Sequence, residues 1–343
     1  MKYYSTFITG LQEVVGKALK GYFDDIKIVL MLDGLVVYET NRSIKQIKDL
    51  RFLNNSFITF HVLKKGDKYS PPQLINKVIQ QSVSIANLPS NALQDLFSFR
   101  VIASSENQLV SIDKKLLKDI ENLLSKKLKL KIDRSNPDTE VWFLARREGY
   151  SFIGLRITKT PNYEKTLHQG ELRPELANIM CLLAELKPQD VILDPFAGYG
   201  AIPLECAKSF EVNKIIAGEN NKKVFKILQE KIKIVKQGMV VGRWNALNLS
   251  SLTDKSVDKI ITDPPWGIYN NKTQDLTSFY KQMLIEFNRL VKSNGLTVIL
   301  TAQKDMLENL MKDFPAFKLL ERYDVLVSGK KASIYKIKVL ENK

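Results

Sequence analysis

The spacing of apolar positions changes twice along the chain. Through residue 63 they form short blocks: residues 3–9, 26–32, 35–40 and 57–63 read as strands, while 11–20 and 44–50 repeat at helical spacing. Asp33-Gly34, set between two apolar runs, predicts a hairpin. After Gly66 and the Pro71-Pro72 break come a predicted helix at 73–84 and a strand at 98–103. A long helix at 113–128 and strands at 140–146 and 150–157 follow, the last two joined by a tight turn at 147–149. Periodicity then lapses, and from Glu171 strand and helix alternate. Helices are expected at 174–186, 201–208, 222–235, 276–291 and 306–312. Strands are expected at 191–193, 214–217, 239–241, 258–262 and 297–301.

These rhythms divide the chain. The order βαββαβ over residues 1–65 is that of a ferredoxin-like α+β domain. Residues 66–160 form a second α+β domain, and 161–170 a linker. Residues 171–343 carry the alternation of a parallel sheet flanked by helices, a Rossmann-like α/β domain. Residues 323–327 and 334–339 read as an antiparallel pair closing the edge of that sheet. No internal repeat or low-complexity tract is visible.

Composition narrows the possibilities. With 343 residues, 44% hydrophobic and 26% charged, the chain is a globular protein of two or three domains. Apolar runs such as residues 28–32 fall far short of the ~18 residues that span a bilayer. The first ten residues lack the apolar centre of a secretory signal, so no membrane association and a cytoplasmic location are expected. Two cysteines, Cys181 and Cys206, and two histidines, His61 and His168, support neither a disulfide framework nor a metal site. The cysteines read as packing residues, and a monomer is expected.

Charge points to a partner. The net charge is +15, with 25 basic against 16 acidic residues up to Thr160 and 27 against 21 after it. The densest run holds Lys114, Lys115, Lys118, Lys126, Lys127, Lys129, Lys131 and Arg134 against Asp119, Glu121 and Asp133. Lysines that neutralise phosphates release condensed counterions, so this helix suits RNA or DNA.

The α/β half places candidate chemistry at successive strand ends, which in an open sheet border the ligand crevice. The first strand runs into Asp194-Pro195-Phe196-Ala197-Gly198-Tyr199-Gly200 and a helix beginning at Ala201. Without a third glycine, and with a carboxylate beside it, this loop suits an uncharged or cationic group better than a pyrophosphate. Glu219, before Asn220, ends the next strand, where a carboxylate accepts hydrogen bonds from ribose hydroxyls. Asn245-Ala246 follows one strand later, its amide available to a base edge. On these residues the chain resembles the class I S-adenosylmethionine methyltransferases. The resemblance implies S-adenosylmethionine as cofactor, held by these positions. The Asn245 slot usually holds Asp in such families, and Asn keeps an acceptor for the adenine amino group. Tyr199 and Ala201 stand where relatives usually carry Ser and Thr.

Asp263-Pro264-Pro265-Trp266-Gly267 ends a further strand. The exocyclic amino group of a base is a poor nucleophile because its lone pair is delocalised into the ring. Two acceptors, the Asp263 carboxylate and the Pro264 carbonyl, can take its hydrogens and aim the lone pair. The prolines lack N–H groups and stiffen the turn, and Trp266 offers a stacking face. Asp-Pro-Pro-aromatic resembles the signature of amino-methyltransferases acting on adenine N6, cytosine N4 or guanine N2, which implies catalytic roles for Asp263, Pro264, Pro265 and Trp266.

Upstream, Ser98-Phe99-Arg100-Val101, the lysine-rich helix, residues 131–141 and residues 152–157 resemble a THUMP domain. That likeness implies RNA binding, by Arg100, Lys114, Lys115, Lys118, Lys126, Lys127 and Lys131. Glu171-Leu172-Arg173-Pro174-Glu175-Leu176-Ala177 is similar to the segment preceding the first motif in THUMP-linked guanine-N2 methyltransferases, and adds Leu172 and Arg173 to the cofactor set. Over nearly its whole length the chain resembles the tRNA guanosine-6 N2-methyltransferases. The leading reading is therefore an RNA enzyme forming N2-methylguanosine, with tRNA as partner. Guanine-N2 transfer at another tRNA position or in rRNA, DNA adenine or cytosine amino-methylation, and non-catalytic RNA binding are the alternatives.

Overall fold

The structure is a computed structural model describing residues 1–66, 69–85, 88, 92–158, 167–233, 235, 238–267 and 275–341. Two compact units emerge: Met1–Phe7 with Leu19–Pro161, and Ile8–Ala18 with Asn162–Lys343.

In chain order the elements begin β1 (Lys2–Thr6), α1 (Gln12–Tyr22), β2 (Lys27–Leu32), β3 (Leu35–Glu39), α2 (Ile44–Lys48) and β4 (Asn55–Leu63); all belong to the first unit except residues 12–18 of α1, which fall in the second. The first unit continues with α3 (Pro71–Ile79), β5 (Ser98–Ser105), β6 (Gln108–Leu109), α4 (Lys114–Leu128), β7 (Lys131–Ile132), β8 (Thr139–Ala145) and β9 (Ser151–Arg156). The segments read from sequence as separate α+β domains share one sheet, ordered β2-β3-β1-β4-β9-β8-β5-β6 with β7 also on β5. The seam is the antiparallel pair β4 and β9, from Phe57 opposite Arg156 to Leu63 opposite Ser151. Ser70 and Gln73 cap α3 reciprocally with Pro71 behind the cap. The expected extension of α3 to residue 84 stops short because Gln81 takes a left-handed backbone, φ 59°. Asp113 caps α4 by accepting the N–H groups of Lys115 and Leu116. Ile120, Leu124 and Leu128 bury one stripe of α4 against Leu74, Phe99 and Phe143, which turns the lysines of the opposite face to solvent.

The second unit holds α5 (Pro174–Leu183), β10 (Val191–Asp194), α6 (Ala201–Ser209), β11 (Lys214–Gly218), α7 (Lys222–Ile232), β12 (Met239–Gly242) and β13 (Val257–Thr262). After these come α8 (Leu276–Leu290), β14 (Val291–Thr301), α9 (Lys304–Met311), β15 (Phe317–Val327) and β16 (Lys330–Val339). Its sheet runs β12-β11-β10-β13-β14-β16-β15. Strands β10 to β14 pair in parallel, and β16 is antiparallel to both β14 and β15. β15 begins six residues before the expected start. Lys318, Glu321, Arg322 and Asp324 interrupt its apolar pattern, as suits an edge strand that discourages further pairing. α5 ends three residues early, where Glu185 is left-handed at φ 52°. Among the described residues no helix is long and apolar enough to cross a membrane.

Leu193, Ile260, Tyr280, Met283, Phe287 and Ile299 form the middle of a core in which α8 covers the sheet. Their burial fixes the heights at which β10, β13 and β14 end. Phe287 is fully buried there, and Phe287→Ala is expected to lower unfolding free energy in urea by about 3–5 kcal/mol. A loss below about 1 kcal/mol would show that α8 is not anchored through this ring.

Candidate active site

The carboxyl ends of β10, β11, β12 and β13 lie side by side, with β10 in the middle. Asp194 is level with Ala217, and Gly218 with Gly242. The chain therefore brings Asp194, Glu219 and Asp263 to one edge of the sheet, as the alternating pattern requires.

Asp194 is buried, 1% exposed. Its Oδ1 accepts the Thr262 hydroxyl at 2.8 Å and the Phe196 N–H at 3.2 Å. Oδ2 is buried without a partner among the described residues. Burial pushes its pKa up to about 7, and the neighbouring Glu219 adds to the rise, while the Thr262 and Phe196 hydrogen bonds oppose it.

The loop beyond it is drawn tight by backbone bonds from Ala197 to Gly218 O, 2.9 Å, and from Gly200 to Ala197 O, 2.8 Å. Gly200 opens α6 at φ 93°, and a Cβ there would meet Leu228 at 2.7 Å, so no other residue fits without displacement. Glu219 turns back onto the same loop. One of its oxygens accepts Gly198 N–H at 3.1 Å and the other Asn221 N–H at 2.6 Å. Each oxygen keeps a lone pair for a further donor. Asn220 presents its carbonyl to Arg243 Nε at 3.1 Å.

Asn245 Oδ1, the acceptor assigned from sequence to an adenine amino group, receives the Leu247 N–H at 3.1 Å and so builds its own turn. Ala246 is buried beside it. Leu172 is buried, and Arg173 forms the N-cap of α5 with Pro174 at the first helical position. Tyr199 stacks on His168, ring centroids 3.9 Å apart, with Lys231 over its ring at 5.6 Å.

At the end of β13 the Trp266 indole N–H donates to Asp263 Oδ1 at 2.9 Å. Asp263 Oδ2 has no partner among the described residues, so one carboxylate oxygen is committed to the turn and the other is available. Burial holds the Asp263 carboxyl well above the usual carboxylate range; the Trp266 bond opposes this and the charge of Asp194 adds to it. Pro264 is buried and Pro265 exposed. The Pro265 carbonyl accepts the Tyr280 hydroxyl at 3.2 Å, and the Trp266 carbonyl accepts Gln303 Nε2 at 2.6 Å.

Thr262, Tyr280, Thr301 and Gln303 were not singled out from sequence. Thr262 and Thr301 were legible in principle, since each is a hydroxyl directly after an apolar run, residues 260–261 and 298–300. Tyr280 and Gln303 carried no such signal, because their partners are backbone carbonyls distant in sequence. Among the described residues no group of three His, Cys, Asp or Glu side chains forms a metal cluster.

In the first unit, Lys114, Lys115, Lys118, Lys126 and Lys131 are exposed. Lys127 reaches the carbonyl of Ile85. Arg100 is paired with Glu140. Its Nε lies 2.9 Å from Glu140 Oε1 and its Nη2 pairs with the same oxygen. Glu140 also accepts Arg156 at 2.8 Å and the Trp142 indole at 2.8 Å.

Comparison with known proteins shows what this arrangement resembles. Residues 161–240 and 213–332, together half of the chain, match the family described as RMKL-like, methyltransferase domain. The tRNA (guanine(6)-N2)-methyltransferase of Thermus thermophilus is 26% identical over 238 residues, 68% of this chain and 70% of that protein. Mouse tRNA (guanine(6)-N(2))-methyltransferase THUMP3 is 30% identical over 204 residues, 54% of this chain but only 40% of that protein. The tRNA (guanine(10)-N2)-dimethyltransferase of Methanocaldococcus jannaschii is 23% identical, covering 87% of this chain and 95% of its own length. In fold, the crystal structure of TrmN from Thermus thermophilus superposes with a TM-score of 0.77 at 21% identity, over 99% of both chains.

The Asp194 carboxyl has a consequence for stability. Between its ordinary value of 3.8 and about 7 the folded chain keeps a proton that the unfolded chain has released. Its contribution therefore turns against the fold as pH rises through that window and is fully unfavourable above it. The gap corresponds to roughly 4 kcal/mol. Asp194→Asn is expected to match wild type in urea stability at pH 4 and to exceed it at pH 8, by up to that amount. A stability difference independent of pH would mean that Asp194 ionises normally.

Proposed function

Because this chain belongs to the RMKL-like methyltransferase domain family, we propose that it is an S-adenosylmethionine-dependent RNA methyltransferase forming N2-methylguanosine, with the tRNA acceptor stem, position 6, as target. The observation that carries this reading is the state of Asp263: one oxygen is held by Trp266 and the other has no partner among the described residues, beside a proline carbonyl, at the strand end next to the Asp194 loop.

The residues at the β10 and β11 ends fit the cofactor. A buried carboxylate oxygen without a partner at Asp194 suits a molecule bearing positive charge, and Glu219 retains lone pairs for the ribose hydroxyls. Asp194, Pro195, Phe196, Ala197, Gly198, Gly200 and Ala201 would form the loop, with Glu219, Asn220, Asn245, Ala246, Leu172 and Arg173 around it. When bound, S-adenosylmethionine supplies a methyl group on an electrophilic sulfonium carbon.

What the protein contributes is placement. Asp263 Oδ2 and the Pro264 carbonyl accept the two hydrogens of the guanine amino group and turn its lone pair toward the incoming methyl. The Trp266 ring stacks on the base. Aligning the two partners within reach supplies most of the acceleration, and the departing proton passes to Asp263 or to water. Asp263 acts only as the carboxylate, so its upward-shifted pKa makes the rate fall on the acid side.

We assign RNA binding to the first unit, with residues 66–160 as a THUMP domain and 1–65 as the ferredoxin-like domain preceding it. Lys114 and Lys115 occupy the first turn of α4, where the helix dipole disfavours cations. That placement costs helix stability and is accounted for by a phosphate partner. The THUMP likeness of this half, which the DNA alternative leaves without a role, favours tRNA. A cytoplasmic, monomeric enzyme fits this role.

Three experiments test the reading. Incubating the full chain with unmodified tRNA and S-adenosylmethionine, then digesting to nucleosides, should yield N2-methylguanosine. Its absence, or methylated adenosine or cytidine instead, would refute the assignment. Asp263→Ala should abolish that product while tRNA affinity stays within about twofold, since no phosphate contact is removed. Neutralising Lys114, Lys115 and Lys118 together should weaken binding and flatten its dependence on salt by roughly one counterion per lost contact. An unchanged salt slope would place the RNA elsewhere.

A further inference from the structure

Pro264 and Pro265 have no N–H, so the turn that carries Asp263 cannot close on itself with hydrogen bonds from those residues. Two of its carbonyls are held from outside. Tyr280 lies on α8 and is fully buried. Its hydroxyl donates to Pro265 O at 3.2 Å and lies 2.8 Å from Thr301 Oγ1 at the end of β14.

Counting protons fixes the direction of this chain. A tyrosine has one hydroxyl hydrogen, and it goes to Pro265 O. Thr301 must therefore donate to Tyr280, and Thr301 in turn accepts the Gln303 N–H at 3.0 Å. The relay runs Gln303 N–H, Thr301 O–H, Tyr280 O–H, Pro265 C=O, each bond polarising the next. Gln303 also anchors the neighbouring carbonyl, since its Nε2 lies 2.6 Å from Trp266 O. One residue thus begins the relay to Pro265 and directly holds Trp266, whose indole orients Asp263.

We propose that Tyr280, Thr301 and Gln303 are positioning residues for methyl transfer: they fix the Pro265 and Trp266 carbonyls so that Asp263 Oδ2 and the Pro264 carbonyl converge on the target amino group. The proposal rests on the methyltransferase reading above, and its test separates the two. None of the three touches the reacting atoms; each acts through the turn.

The full-length protein, labelled with 5-fluorotryptophan, gives one fluorine NMR signal for each of its three tryptophans, and Trp266→Phe identifies that of Trp266. Thr301→Val and Gln303→Leu should each shift the Trp266 signal and leave those of Trp142 and Trp244 in place. On tRNA they should lower kcat roughly 10- to 100-fold, with KM for S-adenosylmethionine within about twofold. Thr301→Ser, which keeps the hydroxyl, should restore both signal and rate. An unmoved Trp266 signal, an unchanged kcat, a loss carried by KM for S-adenosylmethionine, or failure of Thr301→Ser to rescue would overturn the proposal. If one variant moves all three signals, Tyr280→Phe, which removes only the hydroxyl, decides by the same criteria. Wild-type protein making no N2-methylguanosine would instead defeat the functional reading, while the fluorine shifts would still report whether the turn is held from β14.

Discussion

The hydrogen bond from Thr262 to Asp194 joins the two halves of the site. It spans 2.8 Å between the last residues of adjacent parallel strands, β13 and β10. Backbone pairing sets Leu193 opposite Ile260. The side-chain bond adds to that register a direct tie between the residue that opens the glycine loop and the one that precedes Asp263. The arrangement leaves Asp194 Oδ2 buried and without a partner among the described residues, a feature that costs on the order of 1–3 kcal/mol in any fold. That cost is borne where binding is proposed, in keeping with the trade between stability and activity at working sites.

How much of this was legible in the sequence follows from the range of the forces involved. The strand ends at Asp194, Glu219 and Asp263 could be placed because a parallel sheet sets all its carboxyl ends on one edge, and short apolar runs mark those strands well. Helix ends were less exact, because Gln81 and Glu185 adopt left-handed conformations that their side chains do not announce. Asn245 carries a local use that its residue type does not announce, since its oxygen accepts the Leu247 N–H and builds the turn. Tyr280 and Gln303 were invisible for a related reason. They answer a deficit of donors in the Pro264-Pro265 turn, and nothing in their own neighbourhood signals that demand.

The first unit shows the limit of counting charges. Arg100, assigned to RNA by the THUMP likeness, has its guanidinium held by Glu140, which Arg156 and Trp142 also bind. A buried carboxylate with these partners keeps its pKa below the ordinary value despite desolvation. The lysines of α4 differ in kind. Amphipathic burial of Ile120, Leu124 and Leu128 sets the helix down on one side, so the opposite side remains in water with its charge largely uncompensated.

The pairing of β4 with β9 bears on how the protein is made. Val62 and Phe152 are partners in the sheet, yet about ninety residues of chain separate them. At translation rates of roughly 5–20 residues per second, β4 leaves the ribosome several seconds before the strand that will cover its outer edge. During that interval a row of unpaired backbone groups is open to any other extended peptide. Slow codons in the intervening stretch would lengthen the exposure.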